Sequence, residues 1–251
     1  MRNIKLVLEY DGTNYHGWQI QPNLPTIQGA VEDAIRLLTN TYTQIIGAGR
    51  TDAGVHADGQ VANFHTNSSI SLDAIQSGIN AFLPNDIVVS ETVEVDTDFH
   101  ARFSAISRYY RYTILNRPYP SAQLHRICYH LKSKINIEMA NEICKCLIGK
   151  RDFSSFQKTG SDRMNPVCNF YKAFCYTKDD FIYFEFEADS FLRGMVRTIV
   201  GTILMCIKNP NSNFTDATTQ FKNIVNGKDI SLAGSSVPAN GLSLVNVNYS
   251  E

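Results

Sequence analysis

No stretch of this 251-residue chain stays apolar long enough to cross a bilayer, which takes about 20 consecutive apolar residues in a helix. A helical membrane protein is therefore not expected. The opening residues, Met-Arg-Asn-Ile-Lys-Leu-Val-Leu-Glu-Tyr, carry charge too early and too often for a secretory signal, so the expected location is the cytoplasm. Six cysteines occur, at 128, 144, 146, 168, 175 and 206. None forms Cys-x-x-Cys or pairs with histidine at zinc spacing, which argues against a structural zinc or a disulfide framework. They are expected as free thiols serving as small core residues. Tryptophan is scarce, with Trp18 alone. Acidic residues are missing altogether from Phe99 to Ile137, a span that holds seven Lys and Arg.

That last absence changes the meaning of an unremarkable net charge of −1 and a pI near 6.6. Residues 1–100 carry 4 Lys/Arg against 12 Asp/Glu, and the remainder carries 19 against 12. A basic face can persist on such a chain although the total is neutral, so nucleic acid stays open as a partner. With 43 % hydrophobic residues, the length suffices for one large domain or two of about 125 residues.

Hydrophobic periodicity predicts two successive α+β units. In the first, Asn3–Tyr10 reads as a strand, and Thr26 caps a helix with Ile27, Ala30, Val31, Ala34, Ile35 and Leu38 on one face. Strands at Thr43–Ala48 and Gln60–Thr66, a helix at Ser71–Phe82 and a strand at Ile87–Val95 follow. In the second, Ser107–Leu115 is a strand and Asn136–Leu147 a helix. Tyr171–Thr177 and Phe181–Ala188 form a hairpin, Phe191–Ile207 and Thr215–Val225 are helices, and Leu242–Tyr249 is a closing strand. The expected fold is two similar ferredoxin-like, RRM-like α+β units with antiparallel sheets flanking a central RNA-binding cleft. Their expected bounds are 1–105 and 106–251.

Three stretches carry chemistry. Gly47–Gln60 holds four glycines with Arg50, Asp52, His56 and Asp58, a loop whose backbone can take positive φ or approach a ligand closely. Phe99–Tyr112 interleaves His100, Arg102, Arg108 and Arg111 with Phe103, Tyr109, Tyr110 and Tyr112, a mixture suited to phosphates and stacked bases. If Ser107–Leu115 is a strand, Arg108, Tyr110 and Tyr112 share one face, and Tyr109 and Arg111 the other. In Phe191–Leu204, Arg197 sits in a nearly all-apolar helix between Gly194 and Gly201, with no acid from residue 190 to residue 215. The glycines are expected to admit another backbone segment beside Arg197, whose charge needs a distant partner.

These stretches, with Leu8-Glu9-Tyr10-Asp11-Gly12-Thr13, Gly17-Trp18-Gln19-Ile20-Gln21-Pro22, Thr26–Gly29, Asp152–Phe156 and Gly241–Tyr249, make the chain resemble the tRNA pseudouridine synthase A family over nearly its whole length. The resemblance implies an isomerase of uridines 38, 39 and 40 in the tRNA anticodon stem-loop, a homodimer, and no cofactor or metal. It assigns catalysis to Asp52, displacement of the target base to Arg50, stacking to Tyr110 and pairing with the aspartate to Arg197. Arg102 and Arg108 are further candidates for contact with RNA. One departure is visible: the family commonly carries arginine where this chain has Cys168, which puts a secondary contact in doubt.

The implied reaction breaks the N1–C1′ bond, turns the uracil over and joins C5 to C1′. The target base must leave its stack, at a cost of a few kcal/mol. The carboxylate must stay ionised beside a polyanion, which a paired arginine favours. Two other classes remain: a metal-dependent hydrolase using Asp52, His56, Asp58 and His65, and an RNA-binding module without catalysis.

Overall fold

The computed structural model describes residues 1–158, 164–208 and 213–250. It falls into two compact units, Met1–Ile106 with Ser243–Glu251, and Ser107–Leu242.

The first unit is built from β1 (Arg2–Tyr10), α1 (Ile27–Thr39), β2 (Ile46–Gly47), β3 (His56–Thr66), α2 (Leu72–Phe82) and β4 (Ile87–Val95). β1 runs antiparallel between β3 and β4, and β2 adds to β3. The register sets Ile4, Leu6 and Leu8 opposite Phe64, Ala62 and Gln60, so one face of the sheet gathers buried side chains. α1 begins where the Thr26 hydroxyl accepts the Gly29 amide at 3.3 Å and turns Ile27, Val31, Ala34 and Ile35 inward. Asn3 and Asn63, both 0 % exposed, occupy the other face. Asn3 donates to the carbonyls of Asp96 (2.8 Å) and Phe99 (2.9 Å), while the Asn63 carbonyl oxygen accepts the Ala101 amide (2.9 Å). Buried amides left unpaired would be costly, so this pair fastens the start of the acid-free segment to the sheet.

The second unit contains β5 (Ala105–Leu115), β6 (Tyr129–His130), α3 (Ile137–Lys145), β7 (Gly149–Asp152), β8 (Val167–Lys178), β9 (Phe181–Ala188), α4 (Met195–Ile207) and α5 (Phe214–Gly227). Its strands follow the order β5-β9-β8-β7, with the short β6 parallel to β5. Tyr110, Tyr112 and Ile114 stand opposite Phe186, Phe184 and Ile182, and all six are buried in a core shared with Phe153, Phe156, Phe170 and Phe221. Cys168, at the position of the family departure, is fully buried opposite Arg151. It behaves as a small core residue.

The α+β architecture agrees with expectation, and several details differ. The closing strand β10 (Leu242–Tyr249) groups with the first unit from Ser243 onward, so the division expected at 106–251 stops at Leu242. It lies parallel to β3, pairing Ser243 with His56 and Leu244 with Ala57, whereas antiparallel sheets were expected. That ladder and the Tyr10–Ala57 pair of β1 draw β3 back to His56, four residues before the Gln60 expected from alternation. A Cβ on Gly59 would lie 2.5 Å from the Val245 carbonyl, so glycine there permits β10 to come close. Finally, α4 starts at Met195, not Phe191. Gly194 precedes it in a left-handed conformation (φ +70°), which few other residues adopt. Among the described residues no helix is long and apolar enough to cross a membrane.

Candidate active site

The Asp52 loop is held from below by the last residue of β1 and the segment that follows it. The buried hydroxyls of Tyr10 and Thr51 meet at 2.9 Å, a bond contributing about 1 kcal/mol on typical values. The Trp18 amide donates to the Thr51 carbonyl (3.1 Å), and the Gly54 amide to the Tyr15 carbonyl (3.3 Å). Within the loop the Val55 amide closes a turn onto the Asp52 carbonyl at 3.1 Å, and Gly54 takes φ +75°. Gly17, at φ +90°, is pressed against the loop backbone: a Cβ there would lie 2.5 Å from the Thr51 carbonyl. Trp18 is 2 % exposed and lies under Gly47, where a Cβ would lie 2.5 Å from its indole. The lone tryptophan is thus the floor of the loop. On this base Asp52 is half-buried and Arg50 exposed.

His56, Asp58 and His65 have settings of their own. The Gly12 amide donates to His56 Nδ1 at 3.1 Å, Asp58 is exposed, and His65 Nε2 lies 3.0 Å from the Thr97 carbonyl. Among the described residues no group of three or more His, Cys, Asp or Glu could hold a metal ion. The fourfold ligand set of a metal-dependent hydrolase is not assembled.

Arg102 belongs to the first unit, exposed, its guanidinium carbon 5.5 Å from the centre of the Phe103 ring. Arg108, Tyr110 and Arg197 belong to the second. Arg108 donates through Nη1 to the Asp189 carbonyl (2.8 Å), and Tyr110, 7 % exposed, meets the Phe191 ring edge-on at 5.0 Å. Both thereby touch the stretch that leads into α4. Arg197 is half-buried and lies in the first turn of α4, not in mid-helix. A cation there opposes the helix dipole, typically by about 0.3–1 kcal/mol, so packing alone does not explain its presence. Its Nε donates to the Val237 carbonyl at 2.8 Å. Tyr112, beside it, donates to the Pro238 carbonyl (2.8 Å), and burial pushes its phenol well above the usual range.

The opposite face of β5 is a folding network. Acids absent from the local sequence arrive on β9. Arg111 Nε pairs with Glu185 Oε1 at 2.8 Å, and the Ser107 hydroxyl donates to Glu187 at 2.7 Å. Burial, then the Glu185 hydrogen bond, raises the Tyr109 phenol above its ordinary range. Sequence reasoning also missed the segment Gly234–Pro238 beside Arg197. Its Gly, Ser and Pro content signals only a loop.

A two-unit α+β protein with an aspartate on a glycine-lined loop in one unit, and an arginine opening a buried helix in the other, has a counterpart among known families. The family model described as tRNA pseudouridine synthase matches residues 6–104 and 143–250. Over 250 residues the chain is 43 % identical to tRNA pseudouridine synthase A of Acetivibrio thermocellus, covering 99 % of this chain and 100 % of that one. It is 41 % identical over 253 residues to tRNA pseudouridine synthase A of a Thermoanaerobacter species, and 42 % over 249 to tRNA pseudouridine synthase A 2 of Clostridium perfringens, with 99 % and 100 % covered in each case. The chain belongs to the tRNA pseudouridine synthase family, whose members are isomerases acting on tRNA. A solved chain of a Cbf5-Nop10-Gar1 complex overlaps at a TM-score of 0.37 and 9 % identity, covering 80 % of this chain and 53 % of that one, too distant to bear on the fold.

Proposed function

We propose that the chain converts uridine to pseudouridine at positions 38, 39 and 40 of the tRNA anticodon stem-loop, with Asp52 as the essential carboxylate. The observation that carries this reading is the clamping of the Asp52 loop from Tyr10, Tyr15, Gly17 and Trp18. A group held this way can keep a reacting geometry within a fraction of an ångström, which is worth far more to rate than to binding. Arg50, exposed two residues before it, suits displacement of the target base. Tyr110 offers a flat ring on which the detached uracil can turn, where a cage of hydrogen bonds would pin it. Arg197 is the partner that keeps Asp52 ionised beside the phosphates. The working form is a cytoplasmic homodimer that needs no cofactor. Light scattering of the purified protein checks the dimer.

The test of the reading is a map of pseudouridine, by carbodiimide-stop primer extension, on tRNA incubated with sub-stoichiometric protein. Stops at 38, 39 and 40 with multiple turnovers are expected. Tight tRNA binding without turnover would leave a binding module, and stops elsewhere would move the target.

Tyr110→Ala should lower the saturating rate by at least about tenfold more than it weakens tRNA binding, since one base stack is worth only about 1–3 kcal/mol. Equal effects on both would make Tyr110 an ordinary core residue, as its low exposure alone would suggest.

Arg102→Ala should flatten the salt dependence of tRNA binding by about one unit of slope if its guanidinium neutralises a phosphate. Arg108→Ala should do so less, because Nη1 already serves the Asp189 carbonyl. Unchanged slopes in both would assign the two arginines to the fold.

A further inference from the structure

We propose that the segment Gly234–Pro238 is a strap that positions Arg197 for its carboxylate, an inference that rests on the role just assigned to Arg197. Four contacts run along α4 in order, from Thr202 back to Arg197. The Gly234 amide donates to the Thr202 hydroxyl at 2.9 Å. The Ser236 and Thr198 hydroxyls meet at 2.8 Å. The Val237 amide donates to the Arg197 carbonyl (3.2 Å), and Arg197 Nε returns a bond to the Val237 carbonyl (2.8 Å). Pro238 then accepts the Tyr112 hydroxyl, which ties the far end of the strap to β5.

Two glycines make this contact possible. A Cβ on Gly201 would drive into the Ser235 carbonyl, and one on Gly234 would lie 2.7 Å from the Gly201 carbonyl. Neither obstacle is a flexible side chain, so any larger residue must displace the strap. Glycine inside a helix is otherwise unfavourable, and here it admits a backbone that binds the helix at its functional residue.

The chemistry requires arginine in particular. A guanidinium is planar and carries its donors in a rigid fork, so fixing Nε on a carbonyl fixes the direction of both Nη groups. A lysine has one nitrogen and no such fork; it cannot hold the strap and present an oriented pair at once. The strap residues touch neither base nor sugar in this scheme. They are positioning residues that act through Arg197.

The experiment uses the full-length protein and an unmodified tRNA transcript, with the saturating single-turnover rate and the tRNA Kd measured separately. Thr198→Val combined with Ser236→Ala removes the hydroxyl pair; Gly201→Ala pushes the strap away. Each should lower the rate by about tenfold or more, the scale of a small misplacement at a reacting centre, while Kd stays within about twofold. The hydroxyl-keeping pair Thr198→Ser with Ser236→Thr should restore the rate. In an Arg197→Lys background the strap changes should have no additional effect, because coupled residues are not additive. A parental rate in the folded Thr198→Val, Ser236→Ala variant, beside an impaired Arg197→Lys, overturns the strap alone. The same applies if the strap loss persists undiminished in the lysine background. A parental rate for Arg197→Lys overturns the role of Arg197 itself, and the strap with it.

Discussion

Asp52→Asn is expected to abolish pseudouridine formation while tRNA binding stays within about twofold of the parent. The substitution keeps the side-chain shape and removes the charge. The clamps on the loop are the Tyr10–Thr51 hydroxyl pair and backbone bonds to Thr51, Gly54 and Val55, so the loop itself should hold. The variant should therefore still fold, with its stability measured separately, which separates loss of chemistry from loss of fold. Asp58→Asn supplies the control: Asp58 is exposed and lies on β3 beyond the loop, and its variant should turn over at close to the parental rate. An Asp52→Asn rate within about tenfold of the parent, a barrier change near 1.4 kcal/mol, would end the case for an essential carboxylate.

The second large effect concerns Asp52 and Arg197 together. Both are half-buried, so the cost of stranding one charge falls between two limits. Breaking a fully buried pair costs about 3–5 kcal/mol, whereas an exposed pair is worth about 0.2–1 kcal/mol. About 1–3 kcal/mol is expected for Arg197→Met, a large part of the marginal stability of a mid-sized protein. Arg197→Met also removes the bond to the Val237 carbonyl and should lower the turnover rate by at least about a hundredfold. Denaturant unfolding of the parent, Asp52→Asn, Arg197→Met and the double variant forms a cycle. If the two charges pair, the double variant should be less destabilised than the sum of the single changes by more than about 0.5 kcal/mol. Additivity within that margin would mean that each is satisfied elsewhere.

Much of this molecule is written locally. Thr26, Ser71, Asn136 and Asn213 each accept an amide at the start of their helices, and Thr26 was readable as a cap because capping is a bond between near neighbours. The alternation of β5 put Tyr110 and Tyr112 on one face and Tyr109 and Arg111 on the other, as the register has them. Gly201 was legible as a place where backbone would approach, since no local reason keeps glycine inside an apolar helix. What covers it was not, because Ser235 is 34 positions away and loop composition names no partner.

The α+β class, most helices and strands, the glycine-lined Asp52 loop and the family follow from short-range patterns of periodicity, capping and motif. Tertiary structure decided what depends on residues far apart in the chain. β10 took a parallel place on β3, because a ladder is satisfied by whichever strand arrives in register. The acid-free stretch around Arg111 received Glu185 and Glu187 from β9, since charge is balanced across strands and not along them. Arg197 moved from mid-helix to the first turn of α4 because Gly194 turns left-handed just before it, and there it met a carbonyl 40 residues further along the chain.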